Sequence, residues 1–187
     1  GNMAREHLGV FHECEEIEIV GIYSKTLSKA RDISNKFNIP IVANSIKELY
    51  DSTKANIVVI AVNELACKEV CLEAVKYNWK LLIEKPVGHN FSEAIFIDKL
   101  CTDCGVDAYV GLNRRFYSST MALQKILRGI NGKRVVTVLD QEDAELATLS
   151  GRPKKVVDNW MYANSIHLID YFQQFCRGEH IHTNILS

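Results

Sequence analysis

The stretch Asn56-Ile57-Val58-Val59-Ile60-Ala61-Val62 decides the fold. All but its first residue are apolar and most are β-branched. A strand with one wet face would alternate apolar and polar, whereas a continuous run suits a strand buried on both faces of a parallel sheet. Downstream, Ala66 to Tyr77 reads as a helix, Lys80 to Glu84 as a strand, Ser92 to Cys101 as a helix and Asp107 to Leu112 as a strand. Upstream, Asn2 to Cys14 has helical spacing and Ile17 to Ile22 is a β-branched strand. Leu27 to Phe37 is helical, with Ser28 in its first turn or at its cap and Ala30, Ile33 and Phe37 on one face. Ser45 to Tyr50 gives a helical turn or two. This alternation predicts an α/β, Rossmann-type, doubly wound parallel sheet between layers of helices.

The rhythm changes after Leu112. Tyr117 to Arg128 reads as a longer helix, Arg134 to Leu139 as a strand, and Asn164 to Phe175 as another helix. Between them, Asp140 to Val157 is polar, contains Gly151 and Pro153, groups Arg152, Lys154 and Lys155, and reads as a long loop. The expected organisation is therefore a dinucleotide-binding domain over 1–112 and the start of an α+β domain over 113–187. Both are expected to be incomplete. A doubly wound nucleotide fold opens with a strand feeding a glycine-rich turn, but here Gly1 has no strand before it, and only one strand is read in the second domain.

At 187 residues the chain is long enough for one well-buried domain and part of another. Its 22 Lys and Arg balance 23 Asp and Glu, so it lacks the basic footprint of a nucleic-acid or anionic-membrane partner. No apolar run reaches the roughly 18 residues of a membrane span, and no secretory leader is read at the start; the expectation is a cytoplasmic protein. Cys14, Cys67, Cys71, Cys101, Cys104 and Cys176 are expected to be reduced core thiols rather than a disulfide frame. Cys101 and Cys104 have C-x-x-C spacing, but nothing nearby completes a zinc site, and no metal is assigned.

Three segments carry chemistry. Gly1-Asn2-Met3-Ala4 fits the last four positions of G-x-G-x-x-G/A, where free helix N-terminal amides meet a pyrophosphate; taken alone it is equally a helix that begins at Gly. After the next strand comes Tyr23-Ser24-Lys25-Thr26. NAD-specific domains place an acid there for the ribose hydroxyls, whereas a hydroxyl and a cation suit a 2′-phosphate, which favours NADP(H) over NAD(H); the plain alternative is a solvated turn. Glu84-Lys85-Pro86 follows a hydrophobic strand, at the carboxyl edge where open α/β sheets bind ligands. A lysine there can stabilise negative charge on an alcohol losing its proton, or it can be an ordinary surface residue.

Taken together these residues resemble the Gfo/Idh/MocA family, the glucose-fructose oxidoreductase and inositol dehydrogenase group. The resemblance rests on Gly1 to Ala4, Ala61-Val62-Asn63, Ala74, Glu84-Lys85-Pro86, Gly111-Leu112-Asn113-Arg114-Arg115-Phe116 and Asn164-Ser165-Ile166-His167-Leu168-Ile169-Asp170. It implies an NAD(P)-dependent oxidoreductase acting on a sugar, polyol or nucleotide sugar, and a homo-oligomer formed through the second domain. It implies catalytic roles for Lys85 and His167, with Lys85 meeting both cofactor and substrate, a cis Lys85–Pro86 bond, and His167 as the acid/base. Cofactor contacts would come from Gly1, Asn2, Met3, Ser24, Lys25, Thr26, Ala61, Val62, Asn63, Glu84, Lys85, Pro86 and Arg114. Lys85, Asn164 and His167 would hold the substrate, and Arg114 and Arg115 would lie near the nucleotide or a hinge.

Two positions depart from the pattern. The acid that many members carry four residues before the histidine is here Ala163, with Asn164 or Asp158 as possible substitutes, and a frequent histidine after the buried strand is here Cys67. Loss of that acid motivates an alternative, a non-catalytic NADP(H)-binding sensor on the same fold. A redox or metal role for Cys101 and Cys104 is a third reading.

Overall fold

In the computed structural model, which describes residues 1–184, the chain divides into two compact units, one over Gly1–Gly111 and one from Leu112 onward. The first alternates helix and strand: α1 (Asn2–His12), β1 (Gly21–Tyr23), α2 (Leu27–Phe37), β2 (Ile41–Ala43), α3 (Ile46–Thr53), β3 (Ile57–Ile60), α4 (Cys67–Ala74), β4 (Lys80–Ile83), α5 (Phe91–Asp103) and β5 (Ala108–Val110). Every strand pairing is parallel. β1 pairs with β2, Gly21 opposite Ile41. β4 lies between β3 and β5, with Ile60 opposite Ile83 and Leu81 opposite Ala108. In the doubly wound order one further strand lies between the positions of β1 and β3, and none of the described residues fills it.

That gap explains how β3 differs from its sequence reading. Of Ile57-Val58-Val59-Ile60 only Ile60 is buried, and Ile57 is 53% exposed, because β3 has a ladder partner on one side alone. The core gathers where β3 and β4 meet α4 and α5: Ile60, Cys67, Cys71, Ala74, Trp79, Leu81, Ile83, Ile97 and Cys101. Local chemistry sets the helix boundaries. Ser45 caps α3 by accepting the Glu48 N–H, and Asn90 caps α5 by accepting that of Glu93. Asn38 closes α2 in the left-handed conformation.

Among the described residues the regular elements of the second unit are all helices: α6 (Ser118–Arg128), α7 (Ala144–Leu149), α8 (Lys154–Val157) and α9 (Trp160–Phe175), preceded by a 3₁₀ turn at Asn113–Phe116. Several expectations are corrected. Arg134 to Leu139 is not a strand; no described segment pairs with it, and a strand without a ladder leaves its backbone unsatisfied. The stretch read as one long loop holds α7 and α8, with Asp143 capping α7. The expected Ile17–Ile22 strand forms only over Gly21–Tyr23, and β2 was not foreseen. Nor are all the thiols core residues: Cys67, Cys71 and Cys101 are buried, whereas Cys104 and Cys176 are exposed.

Candidate active site

The ends of β3 and β4 lie side by side through the Ile60–Ile83 pairing, and each delivers one of the quoted motifs. Glu84-Lys85-Pro86 leaves β4, and the Lys85–Pro86 peptide bond is cis, as the resemblance implied. The Glu84 carboxylate is held from two sides. His7 on α1 donates from Nε2 to Oε1 at 2.6 Å, and the Lys85 N–H donates to Oε2 at 3.2 Å. Both side chains are largely shielded, His7 at 22% and Glu84 at 10% exposure. Burial pushes the Glu84 carboxyl up, but the contact with His7, the Lys85 N–H and the Lys85 charge outweigh it, leaving the group below its ordinary value. A Cβ placed on Gly111 would lie 3.0 Å from Glu84 Oε1, so a side chain there would press the carboxylate aside by a few tenths of an ångström.

The turn that follows is pinned as firmly. Gly88 has φ +76°, a conformation that costs a side-chain-bearing residue free energy. His89 donates to Glu93 from its ring Nδ1 at 2.8 Å and from its backbone N–H at 3.2 Å. Cys67 accepts the Gly88 N–H, and its Sγ is 4.0 Å from that of Cys71. The hydrogen bond with Cys71 lowers the Cys67 thiol against the effect of burial, and the same pairing raises Cys71. Cys67 thus anchors the backbone three residues beyond Lys85.

The other expected cofactor residues lie on the same unit. Gly1 is the N-cap of α1, with Asn2 and Met3 exposed in the first turn, where amides have no intrahelical partner. At the end of β1 the Ser24 hydroxyl accepts the Thr26 N–H at 3.2 Å, and Lys25 is exposed. At the end of β3, Asn63 Oδ1 accepts the Ala66 N–H at 3.1 Å and caps a 3₁₀ turn, with Ala61 half-buried and Val62 exposed before it.

In the second unit α9 begins at Trp160, earlier than its sequence reading, and buries Ala163, Ser165, His167 and Asp170. Ala163, His167 and Asp170 recur at helical spacing on one face. Arg115 grips Asp170 with two bonds, Nε to Oδ2 at 2.7 Å and a terminal nitrogen to Oδ1 at 2.5 Å. That pairing raises the Arg115 guanidinium above its ordinary value, so Arg115 is committed to the helix, while Arg114 is half-buried beside it. Asn164 is exposed and donates to Glu142 Oε2 at 2.6 Å, an oxygen that also accepts the Trp160 indole N–H at 3.0 Å. Asp158 pairs instead with Lys154 at 2.6 Å.

His7 and Glu142 are among the residues of this geometry that were missed in the sequence, as were His89 and Glu93. His7 lies 77 positions from its partner, and no spacing signals such a pair; Glu142 fell in the stretch read as a featureless loop. No group of three or more metal-ligating side chains occurs among the described residues, and no described helix is long and apolar enough to cross a membrane.

Comparison with known proteins identifies the family of the first unit. Residues 1–112 match the family model described as an oxidoreductase family with an NAD-binding Rossmann fold. Trans-1,2-dihydrobenzene-1,2-diol dehydrogenase of Mus musculus is 27% identical over 112 residues, covering 60% of this chain and 34% of that protein. Glucose-6-phosphate 3-dehydrogenase of Bacillus subtilis is 25% identical, covering 68% of this chain and 35% of that one. This chain thus spans about a third of the length of these two relatives. Among solved structures, myo-inositol 2-dehydrogenase from Lactobacillus plantarum superimposes with a TM-score of 0.76 at 17% identity, over 94% of this chain and 54% of that one. With more than half of its length matched, and with Glu84-Lys85-Pro86 at the carboxyl end of a parallel strand, the chain belongs to the Gfo/Idh/MocA family of oxidoreductases with an NAD-binding Rossmann fold.

Proposed function

We propose that the protein transfers a hydride between a nicotinamide dinucleotide and the hydroxyl or keto carbon of a cyclic polyol, sugar or nucleotide sugar. One observation carries the reading: Lys85 stands at the carboxyl end of β4, beside the end of β3, at the edge where open α/β sheets bind ligands. The residues present fit a dinucleotide. Gly1 is the N-cap of α1, whose first-turn amides have no intrahelical partner and can receive a diphosphate. Ser24, Lys25 and Thr26 take the ribose end, and with no acid among them a 2′-phosphate is the better match, so NADP(H) is favoured over NAD(H). Ala61, Val62, Asn63, Glu84, Lys85 and Pro86 would meet the nicotinamide end, a role that the family resemblance implies for Arg114 as well.

When bound, the nicotinamide supplies the hydride acceptor, or the donor in reverse. In the oxidising direction the carbinol carbon gives up its hydrogen with both electrons, and the hydroxyl proton passes to a base as the C=O bond forms. Lys85 donates to the substrate oxygen and stabilises the charge that develops there. His167 takes the proton, and Asn164, oriented by Glu142, helps to hold the substrate. The relatives' names support ring-borne alcohols as the substrate class. The second unit belongs to a substrate domain through which the protein forms a homo-oligomer, and six unbridged cysteines suit a reducing cytoplasm.

The test is nicotinamide reduction by the full-length protein across a panel of cyclic polyols and sugars, with either cofactor. Turnover should be found and should fall by about 100-fold or more in His167→Ala, the usual contribution of a positioned acid/base. If NADPH binds and no alcohol is oxidised, the non-catalytic sensor takes this reading's place. For the cofactor, Lys25→Asp should shift the NADP-to-NAD ratio of kcat/KM about 10-fold or more toward NAD; an unmoved ratio removes the 2′-phosphate assignment.

A further inference from the structure

The geometry points to His7 as a positioning residue for Lys85, acting through the Glu84 carboxylate. This rests on the proposed role of Lys85, and the groups involved lie within the first unit. Glu84 is the last residue before Lys85, and its backbone N–H still continues the sheet by donating to the Ile60 carbonyl at 2.9 Å. Its side chain turns away to meet three elements. Oε1 receives His7 from α1 at 2.6 Å, Oε2 receives the Lys85 N–H at 3.2 Å, and the bare Gly111 at the end of β5 leaves it a seat. His7 is itself steadied by a stacked contact with Phe11, ring centroids 5.6 Å apart.

The arrangement joins two ends of the proposed cofactor site. α1 presents the amides meant for the diphosphate and carries His7 two turns in. β4 presents Lys85 and ends in Glu84. The His7 to Glu84 bond is the side-chain link between them, and it is short, shielded and able to carry opposite charges, the class of hydrogen bond that best fixes a geometry. Because the Lys85 N–H hangs on the same carboxylate, moving the carboxylate moves the backbone that aims Lys85. Reacting groups tolerate little of this, since a misplacement of about 1 Å can cost around 100-fold in rate. The charged groups acting on Glu84 are His7 and Lys85.

The experiment compares four forms of the full-length protein: wild type, His7→Phe, His7→Gln and Gly111→Ala. Phe keeps the stacking and removes the donor; Gln restores a neutral donor. Ala at 111 crowds Oε1, the same oxygen that His7 holds. The expected result is a kcat lowered about 10- to 100-fold in His7→Phe and Gly111→Ala, with KM for the alcohol within about three-fold of wild type. His7→Gln should recover kcat to within about five-fold. Thermal unfolding of each variant shows whether it is folded. Wild-type kcat in folded His7→Phe, or in Gly111→Ala should the first variant not fold, overturns the inference. So does a kcat in His7→Gln as low as in His7→Phe, which would mean that the imidazole serves some other end. A Lys85→Ala control separates the two readings: if it turns over normally, the role of Lys85 has failed, and if it is inactive while His7→Phe is not, only the role of His7 has.

Discussion

Gly88 bears the strongest backbone demand in the turn after Lys85. It combines φ +76° with a position where an added Cβ would lie 2.6 Å from Glu93 Cβ. Gly88→Ala must therefore displace the start of α5, and it should destabilise the first unit by about 2 kcal/mol; a urea midpoint equal to wild type would show that the turn is softer than its contacts suggest. The Glu84 carboxyl gives a second prediction with a definite sign. Its folded value lies below that of an unfolded Glu, about 4.3. Its contribution to stability is thus fully present above about pH 5 and is lost as pH falls through the folded value. The stability gap between wild type and Glu84→Gln should shrink as pH falls below about pH 4. A gap that widens in acid would reverse the assignment. At this scale the sequence revealed the motif residues themselves, since Lys85 and His167 belong to local patterns. It did not reveal what holds Glu84 and Asn164, because His7 to Glu84 and Glu142 to Asn164 join distant segments.

Among the elements, α9 shows what local pattern conveys and what it hides. Its apolar face was legible from helical spacing over Asn164 to Phe175, yet the helix starts at Trp160, ahead of the Asn164-Ser165-Ile166-His167 run quoted for the resemblance. Its anchoring to the 3₁₀ turn through Arg115 and Asp170 depends on tertiary approach. Asp170 is 6% exposed in that pair, so Arg115→Ala leaves a shielded carboxylate unpaired and should cost about 3 kcal/mol. Arg115→Ala with Asp170→Ala should cost less than Arg115→Ala alone; equal or greater loss in the double variant would show that the pair does not act as a unit. The strands were read less well for a physical reason. β2 is three residues long, too short for periodicity to register, and it exists because β1 offers a parallel partner. Arg134 to Leu139 has strand-like composition and no partner among the described residues, so composition alone misled. The strength of a strand lies in its ladder, which composition does not contain.

For the molecule as a whole, alternation of apolar runs and amphipathic helices was sufficient to identify the doubly wound domain, because parallel strands need helical crossovers and both faces covered. The order of the strands and the side-by-side ends of β3 and β4 put half-buried Lys85 at the edge where open α/β sheets bind ligands. The departure at Ala163 bears on activity at the same scale: Ala163 is buried on the face of α9 that carries His167, and no carboxylate can act from that position. The proposed catalysis then leans on Lys85 all the more. The most direct measurement is kcat for the full-length protein and for Lys85→Ala on the best alcohol of the panel, with cofactor affinity measured separately by nicotinamide fluorescence. The account predicts a fall in kcat of about 100-fold or more with cofactor Kd within about five-fold of wild type, and a Lys85→Ala variant that turns over like wild type would contradict it.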